Sequence, residues 1–284
     1  MHPAPSLILF TTLSGFGFGL MVWLGLRGAD PALSLLALIA AGAGLFASLA
    51  HLGNPQRAWR AVMQWRSSWL SREAVIAIAA MGVFFLAALL GYLGRPLPWL
   101  GWLAAALALV TVLCTAMIYA QLKTVPRWHT PLTPLLFVLI ALTGPALVLA
   151  PAWVALGLLA LTALAQWRHW EEGDAGLAAL GVDAAAATGL SGQVRPLAAP
   201  HTGRNYLLDE MVFRVGRRRA AGLRRLTLGA AILVPAGLVV LGAATGFAEA
   251  AGGLACISHL AGVAAGRWLF FAEAEHTVGL YYQT

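Results

Sequence analysis

Five residues near one another in the sequence carry side chains that could move protons against a charged background: His51, Arg57, Arg60, Arg72 and Glu73. His51 stands in His51-Leu52-Gly53-Asn54-Pro55, and Glu73 follows Trp69-Leu70-Ser71-Arg72. A neutral imidazole can donate to one oxygen, a carboxylate can carry the proton, and guanidinium groups supply a positive field that stabilises a reduced anion. That set suits a carbonyl-bearing headgroup that gains or loses two protons, and a quinone or quinol is the membrane-soluble molecule of that description. The same residues also admit plain structural roles, with Glu73 capping a helix start and His51 hydrogen-bonding at a helix end. Ionisable groups at membrane depth are costly, which is why these positions attract attention at all.

The elements that must position them are apolar stretches almost free of charge. They run over Leu7 to Leu26, Ser34 to Gly53, Ala74 to Leu93, Leu100 to Gln121, Leu132 to Ala150, Ala152 to Trp167, Leu226 to Phe247 and Gly252 to Phe271. Most have the ~20 residues that a helix needs to cross the hydrocarbon core. A hydrophobic share of 60 %, a charged share of 10 % and a mean hydropathy of +0.80 exclude an ordinary soluble domain. The expected fold is all-α, a single membrane domain over residues 1–284 built as a bundle of eight transmembrane helices, with 171–225 as its long loop. The stretch Leu132 to Trp170 would be about 58 Å long as one helix, so a turn at Pro151 is expected to divide it. Pro134, Gly144-Pro145 and Pro235 point to local kinks or to plain packing features, and the long loop's second half, rich in arginine from Arg214 to Arg225, predicts an amphipathic surface helix. The first stretch lacks a basic segment ahead of it and a cleavage signature behind it, which predicts a retained span.

Charge sets the orientation. Fifteen of the eighteen basic residues fall in the three loops between spans two and three, four and five, and six and seven. The opposite loops hold Arg27 and Arg95, and Arg267 alone lies inside a span. The positive-inside rule then places both termini and the loop 171–225 in the cytoplasm. The net charge of +7 is explained by this distribution, and nucleic acid is not an expected partner. Cys114 and Cys256 sit in apolar stretches without metal spacing and read as buried small hydrophobes. His259 falls near the middle of span eight. With His51 it could ligate a haem, but too few other histidines reach membrane depth, so no haem or iron-sulfur cluster is expected in this chain. An interhelical hydrogen bond, or a place on a water or proton path, is the expected use of His259.

Several motifs resemble the membrane-anchor subunits of the dimethyl sulfoxide reductase family. They are His51-Leu52-Gly53-Asn54-Pro55-Gln56-Arg57-Ala58, Trp69-Leu70-Ser71-Arg72-Glu73, Thr124-Val125-Pro126-Arg127-Trp128, Arg267-Trp268-Leu269-Phe270-Phe271-Ala272-Glu273-Ala274-Glu275-His276 and Tyr281-Tyr282. The opening His2-Pro3-Ala4-Pro5-Ser6 and the segment Asn205-Tyr206-Leu207-Leu208-Asp209-Glu210-Met211 look more like the anchor of the cytoplasmic sulfite dehydrogenase branch. The resemblance implies a heme-free, non-catalytic subunit in the bacterial inner membrane that exchanges electrons between ubiquinone or menaquinone and an iron-sulfur subunit. That subunit serves a molybdopterin catalytic subunit, both on the cytoplasmic face. It implies a quinone site at His51 and Glu73, with Arg57 or Arg72 supplying the field; Arg204, Asp209 and His259 receive no role from it. Sulfite oxidation is the reaction expected from the branch, with quinol-driven reduction of a sulfoxide or polysulfide, or a purely structural anchor, as the alternatives. Reporter fusions will test the orientation: the segment Arg214 to Arg225 is expected to be active with a cytoplasmic reporter and silent with an external one.

Overall fold

The computed structural model describes residues 3–50, 54–179, 181, 185, 188–194, 197 and 214–278. Helices are the regular structure of these residues, with no strand among them. The helices are α1 (Pro5–Arg27), α2 (Pro31–Leu49), α3 (Trp69–Tyr92), α4 (Pro98–Ala120), α5 (Leu132–Leu149), α6 (Ala152–Ala179), α7 (Arg214–Leu228), α8 (Val234–Thr245) and α9 (Ala248–Ala272). A 3-10 helix, Pro55–Val62, precedes α3, and a π-helical turn, Gly229–Leu233, joins α7 to α8 so that the two act as one rod. Eight rods result. Seven are long and apolar enough to cross a membrane, the α7–α8 rod from Ala220 to Thr245. The eighth, α6, has 28 residues, apolar at first but carrying Arg168, Glu171, Glu172 and Asp174 in its last turns.

Local signals start and stop these helices where the chain needs them. Proline opens α1, α2 and α4, a position where its missing N–H costs nothing. Asp30 and Ser68 cap α2 and α3, accepting hydrogen bonds from the backbone N–H of Leu33 and Ser71. Pro151 stands in the expected turn, after an extended Ala150 and before α6. The second half of the long loop differs from expectation. Its arginine-rich stretch is the first part of a rod that continues into the membrane, because the π turn lets α7 run on into α8 without a break.

The π turn has an evident support. Ser258 Oγ donates to the carbonyl of Ala230 at 2.8 Å, and His259 Nδ1 lies 2.7 Å from the carbonyl of Ala231. Two successive residues of α9 therefore satisfy carbonyls in the one stretch whose helical pattern is irregular, which hydrocarbon demands. This is the interhelical use expected of His259.

α1 lies at the centre, packed against α2, α4, α5 and α9, while α3 rests on α4 and α6 on α5. α2 and α3, though consecutive, touch only sparsely. Small residues make the crossings tight, as membrane helices require when no hydrophobic force separates protein from lipid. A Cβ built on Gly17 would collide with the backbone of Ala41 on α2. Pro145 leaves the carbonyl of Ala141 without its helical donor, and that carbonyl abuts Gly19 of α1, where no side chain could fit. Threonines add polar ties between neighbours, such as Thr143 Oγ1 to Thr162 Oγ1 at 2.8 Å between α5 and α6. Trp23 Nε1 likewise donates to the Leu142 carbonyl at 3.0 Å.

Gly17→Leu should lower stability by about 1–3 kcal/mol through overpacking against α2, read as a fall in the thermal unfolding midpoint in detergent. Gly15→Ala, at a position with open space around it, should leave the midpoint unchanged or raise it.

Candidate functional site

Glu73 lies in the second turn of α3 and is 3 % exposed. Its carboxylate turns inward to α4, where Thr115 Oγ1 donates to Oε1 at 2.5 Å. Cys114 adjoins Thr115 in α4 and is buried, as expected, as is Cys256 in α9. Arg72, the next residue back, faces the other way. It is half-buried and stacks 4.4 Å over the Trp69 ring, donating to the carbonyls of Trp65 at 3.0 Å and Arg66 at 2.7 Å. It thereby folds the connecting segment back on the start of α3. Arg57 is exposed on the 3-10 helix. No described hydrogen bond or ion pair links Glu73, Arg57 and Arg72 to one another. They share one end of the bundle, with the carboxylate inside and the guanidinium groups outside. His51 lies outside the described residues, as do Arg204, Asp209, Asn205 to Met211 and Tyr281-Tyr282.

The exposed face at this end is built from paired aromatic and cationic side chains. Arg60 stacks 5.4 Å over Trp59 and Arg66 5.4 Å over Trp65. Such amphipathic rings belong at a membrane interface.

A second polar centre forms at the same end, from residues to which sequence reasoning gave no role. The motif Thr124 to Trp128 folds against the end of α9: Trp128 Nε1 donates to the Phe270 carbonyl at 2.9 Å, and the two rings stack at 5.2 Å. Tyr119 meets Trp128, Phe270 and Phe271 edge-on, at 5.3, 5.4 and 5.5 Å. The backbone N–H of Thr277 closes on the Thr124 carbonyl at 2.9 Å. Two of the motifs behind the family resemblance, separated by more than a hundred residues, are therefore one structural unit.

Above this aromatic unit lies a network of four charges. Arg224 of α7 donates to both carboxylate oxygens of Asp174, at 2.6 and 2.7 Å, and to Glu273 at 2.9 Å. Arg127 donates to Asp174 at 2.6 Å and lies 3.6 Å from Glu273. Gly173 is what permits this, since a side chain there would strike the Arg127 guanidinium. The network ties the loop before α5 to α6, α7 and the end of α9. Hydrogen bonds from Arg224, then Arg127, hold the Asp174 carboxyl at about 2, below its ordinary 3.8. Its stabilising contribution is thus fully present above pH 4 and fades only as the pH falls through about 2. Burial pushes the Glu273 carboxyl up, against the pull of Arg127 and Arg224. One signal pointed here: Arg267, the single basic residue within a span, belongs to the same end of α9.

Among the described residues no group of three or more His, Cys, Asp or Glu side chains is placed to hold a metal. The class defined by this architecture is a multi-pass helical membrane protein with polar chemistry gathered at one end. The chain belongs to the family of dimethyl sulfoxide reductase anchor subunits, whose model matches residues 2–164. Over its whole length it is 31 % identical to the C subunit of the sulfite dehydrogenase of Allochromatium vinosum, covering 99 % of that protein. It is 37 % identical over 115 residues to the YnfH chain of an anaerobic dimethyl sulfoxide reductase of Escherichia coli, 38 % of this chain and 40 % of that one. To another anaerobic dimethyl sulfoxide reductase chain of the same organism it is 34 % identical over 108 residues, 36 % of this chain and 37 % of that one.

Thr115→Val should destabilise the bundle by about 1–3 kcal/mol, because it leaves a buried carboxyl oxygen without its donor. Glu73→Gln, which keeps an acceptor for the threonine hydroxyl, should cost less; chemical or thermal unfolding of the two variants in detergent compares them.

Proposed function

We propose that this chain is the quinone-reactive membrane anchor of a three-subunit molybdopterin oxidoreductase that oxidises sulfite. Electrons pass from the catalytic subunit through an iron-sulfur subunit to quinone bound at the anchor. The observation that carries the sulfite assignment is the likeness to a sulfite dehydrogenase subunit along the entire chain, where the sulfoxide reductase chains match over little more than a third. The family supports an anchor role without substrate chemistry of its own.

The proposed quinone site is the end of the bundle that holds Arg57, Arg72 and Glu73, with His51 assigned to it from the sequence motif. Three features of the fold suit such a headgroup. Glu73 is a carboxyl sequestered from solvent yet close to the helix end. The guanidinium groups of Arg57 and Arg72 stand at the same end. The sparse contact between α2 and α3 leaves a seam by which a lipid-soluble molecule could enter from the side. Bound there, ubiquinone or menaquinone supplies the two-electron, two-proton chemistry of the complex. Glu73, held by Thr115, is the group that stores or passes a proton; His51 donates to a headgroup oxygen, and the arginines favour negative charge on it.

The charge of the basic loops supports an orientation with this end, both termini and the docked iron-sulfur and molybdopterin subunits on the cytoplasmic side of the bacterial inner membrane. The partial likeness to the two sulfoxide reductase chains supports a second reading, reverse flow from quinol to a sulfoxide. Membranes should show sulfite-dependent quinone reduction; robust activity only in quinol-dependent sulfoxide reduction would select the second reading. In the intact complex His51→Ala and Glu73→Gln should each lower quinone-coupled turnover by about 10²-fold or more and leave activity with a soluble artificial acceptor nearly intact. Loss of both activities together, or of neither, would make the two residues structural.

A further inference from the structure

Beneath the network of Arg127, Asp174, Arg224 and Glu273 is a small cavity that the electron-transfer reading does not use. It lies between α5, α6, the α7–α8 rod and α9, and its wall includes Gln166, His169, Thr227, Arg267 and Glu273. Its volume is about 30 Å³, room for one or two groups the size of water. Three of these side chains are almost wholly buried, Arg267 at 3 %, His169 at 2 % and Thr227 at 4 % exposure. Each keeps a polar atom without a hydrogen-bond partner among the described residues: Arg267 Nε, His169 Nδ1 and Thr227 Oγ1. Arg127 Nη1 is in the same condition.

Arg267 is the key to what belongs there. Its guanidinium carbon lies 3.5 Å from the centre of the Phe137 ring, and no described hydrogen bond or ion pair reaches it. Glu273, the one carboxylate on the cavity wall, is engaged by Arg224 and Arg127. A buried guanidinium without a counter-charge is strongly unfavourable, and its planar fork of donors matches phosphate oxygens.

The histidine adds a second requirement. Thr133 Oγ1 gives its proton to the Trp128 carbonyl at 2.9 Å, so its 3.3 Å contact with His169 Nε2 is one in which the imidazole donates. A neutral His169 then presents Nδ1 as an acceptor in need of a hydroxyl. The missing partner must therefore combine an anionic oxygen with a hydroxyl group.

Depth and access narrow it further. α9 has 25 residues, roughly 37 Å of helix against about 30 Å of hydrocarbon. Arg267 is five residues from its end, about 8 Å down the axis. Its side chain is thus just inside the apolar layer and within snorkelling reach of the headgroups. At this end α6 hardly touches α7; among the described side chains Arg224 spans the gap, stacked 5.2 Å over Trp170 and bonded to Asp174. Leu228 and Ile232 continue the cavity wall as an apolar path towards lipid.

We propose that an anionic glycerophospholipid sits between α6 and α7 and reaches into this cavity with the two small groups it has room for, a phosphate oxygen towards Arg267 and Arg127 and a headgroup hydroxyl on His169 Nδ1, the rest of the headgroup staying outside it. Basic pockets between membrane helices on the side facing anionic lipid take such headgroups. The lipid supplies the counter-charge that the protein lacks and holds the sixth and seventh rods together. It is independent of the redox substrate.

The test uses the purified complex, stripped of lipid and titrated with phosphatidylglycerol or phosphatidylcholine in mixed micelles, with thermal unfolding and native mass spectrometry as readouts. Phosphatidylglycerol should be retained as a discrete adduct and raise the unfolding midpoint, with phosphatidylcholine binding roughly tenfold more weakly. Arg267→Met, of similar length and uncharged, should abolish the difference between the two lipids. An equal response of the wild-type complex to both lipids overturns the proposal without recourse to any variant. So does an undiminished phosphatidylglycerol response in Arg267→Met. A midpoint shift reproduced in full by inorganic phosphate would assign the cavity to a free anion instead.

Discussion

Hydrocarbon offers no hydrogen bonds, and the rest of this structure follows from that. Each backbone donor and acceptor in the apolar layer must be matched within the protein, which restricts the spans to helices and makes every irregularity accountable. The π turn between α7 and α8 would be an irregularity open to lipid were it not for Ser258 and His259, which reach across from α9 to the carbonyls of Ala230 and Ala231. Pro145 removes a donor within α5, and the freed Ala141 carbonyl is set against Gly19 of the central helix, sheltered from lipid by a close backbone crossing. Neither feature is a simple hinge. At the first, another helix supplies the donors; at the second, another helix shields the freed carbonyl by close approach.

The same constraint sorts the charges. Ionised side chains gather at one end of the bundle, where water and headgroups are in reach, and those that lie deeper are surrounded by specific partners. Glu73 has Thr115; Arg267 is the exception, with the face of Phe137 beside it but no hydrogen-bond partner for Nε among the described residues. The network of Arg127, Asp174, Arg224 and Glu273 stands at the boundary between these regimes. A single exposed ion pair contributes little, but here the exposed Asp174 and three more buried groups from four segments share hydrogen bonds and ion pairs, and removing one leaves another carboxylate or guanidinium poorly matched. That network also ties three rods together, since Asp174 lies in the last turns of α6, Arg224 in α7 and Glu273 just after α9.

How much of this was legible beforehand depends on the range of the interaction. Spans and the turn at Pro151 are local or compositional features, and a run of apolar residues bounded by proline and charge is enough to place them, though the helices at Pro31 and Pro98 start two or three residues ahead of the apolar stretches read from Ser34 and Leu100. The interior position of Glu73 was legible for the same reason, as a carboxyl opening an apolar stretch. Side-chain direction was not: Arg72 and Glu73 are neighbours in sequence, and a helix sends adjacent residues about 100° apart, so one faces Trp69 and the connecting segment while the other faces α4. The surface helix expected over Arg214 to Arg225 was misjudged because its strong polarity describes only the first part of a rod whose remainder is apolar. Sequence windows saw two elements where the π turn makes one.

The pairing of Thr124 to Trp128 with the end of α9 was beyond reach of any local pattern, because it joins segments more than a hundred residues apart through ring stacking and one indole hydrogen bond. Yet these two motifs were among those that carried the family resemblance, and their contact gives that resemblance a physical content. Trp128 covers Phe270, Phe270 covers Tyr119, and Arg127, the residue before Trp128, is thereby aimed at Glu273. A substitution in either motif would loosen the other, so the two must be read as one structural unit, even though neither contains a residue proposed to touch quinone. The aromatic unit therefore does for this end of the bundle what Gly19 and Ala141 do at mid-membrane: it fixes the spacing of helices closely enough that a few polar atoms meet their partners, and the ionisable groups around them are positioned by packing rather than by their own charge.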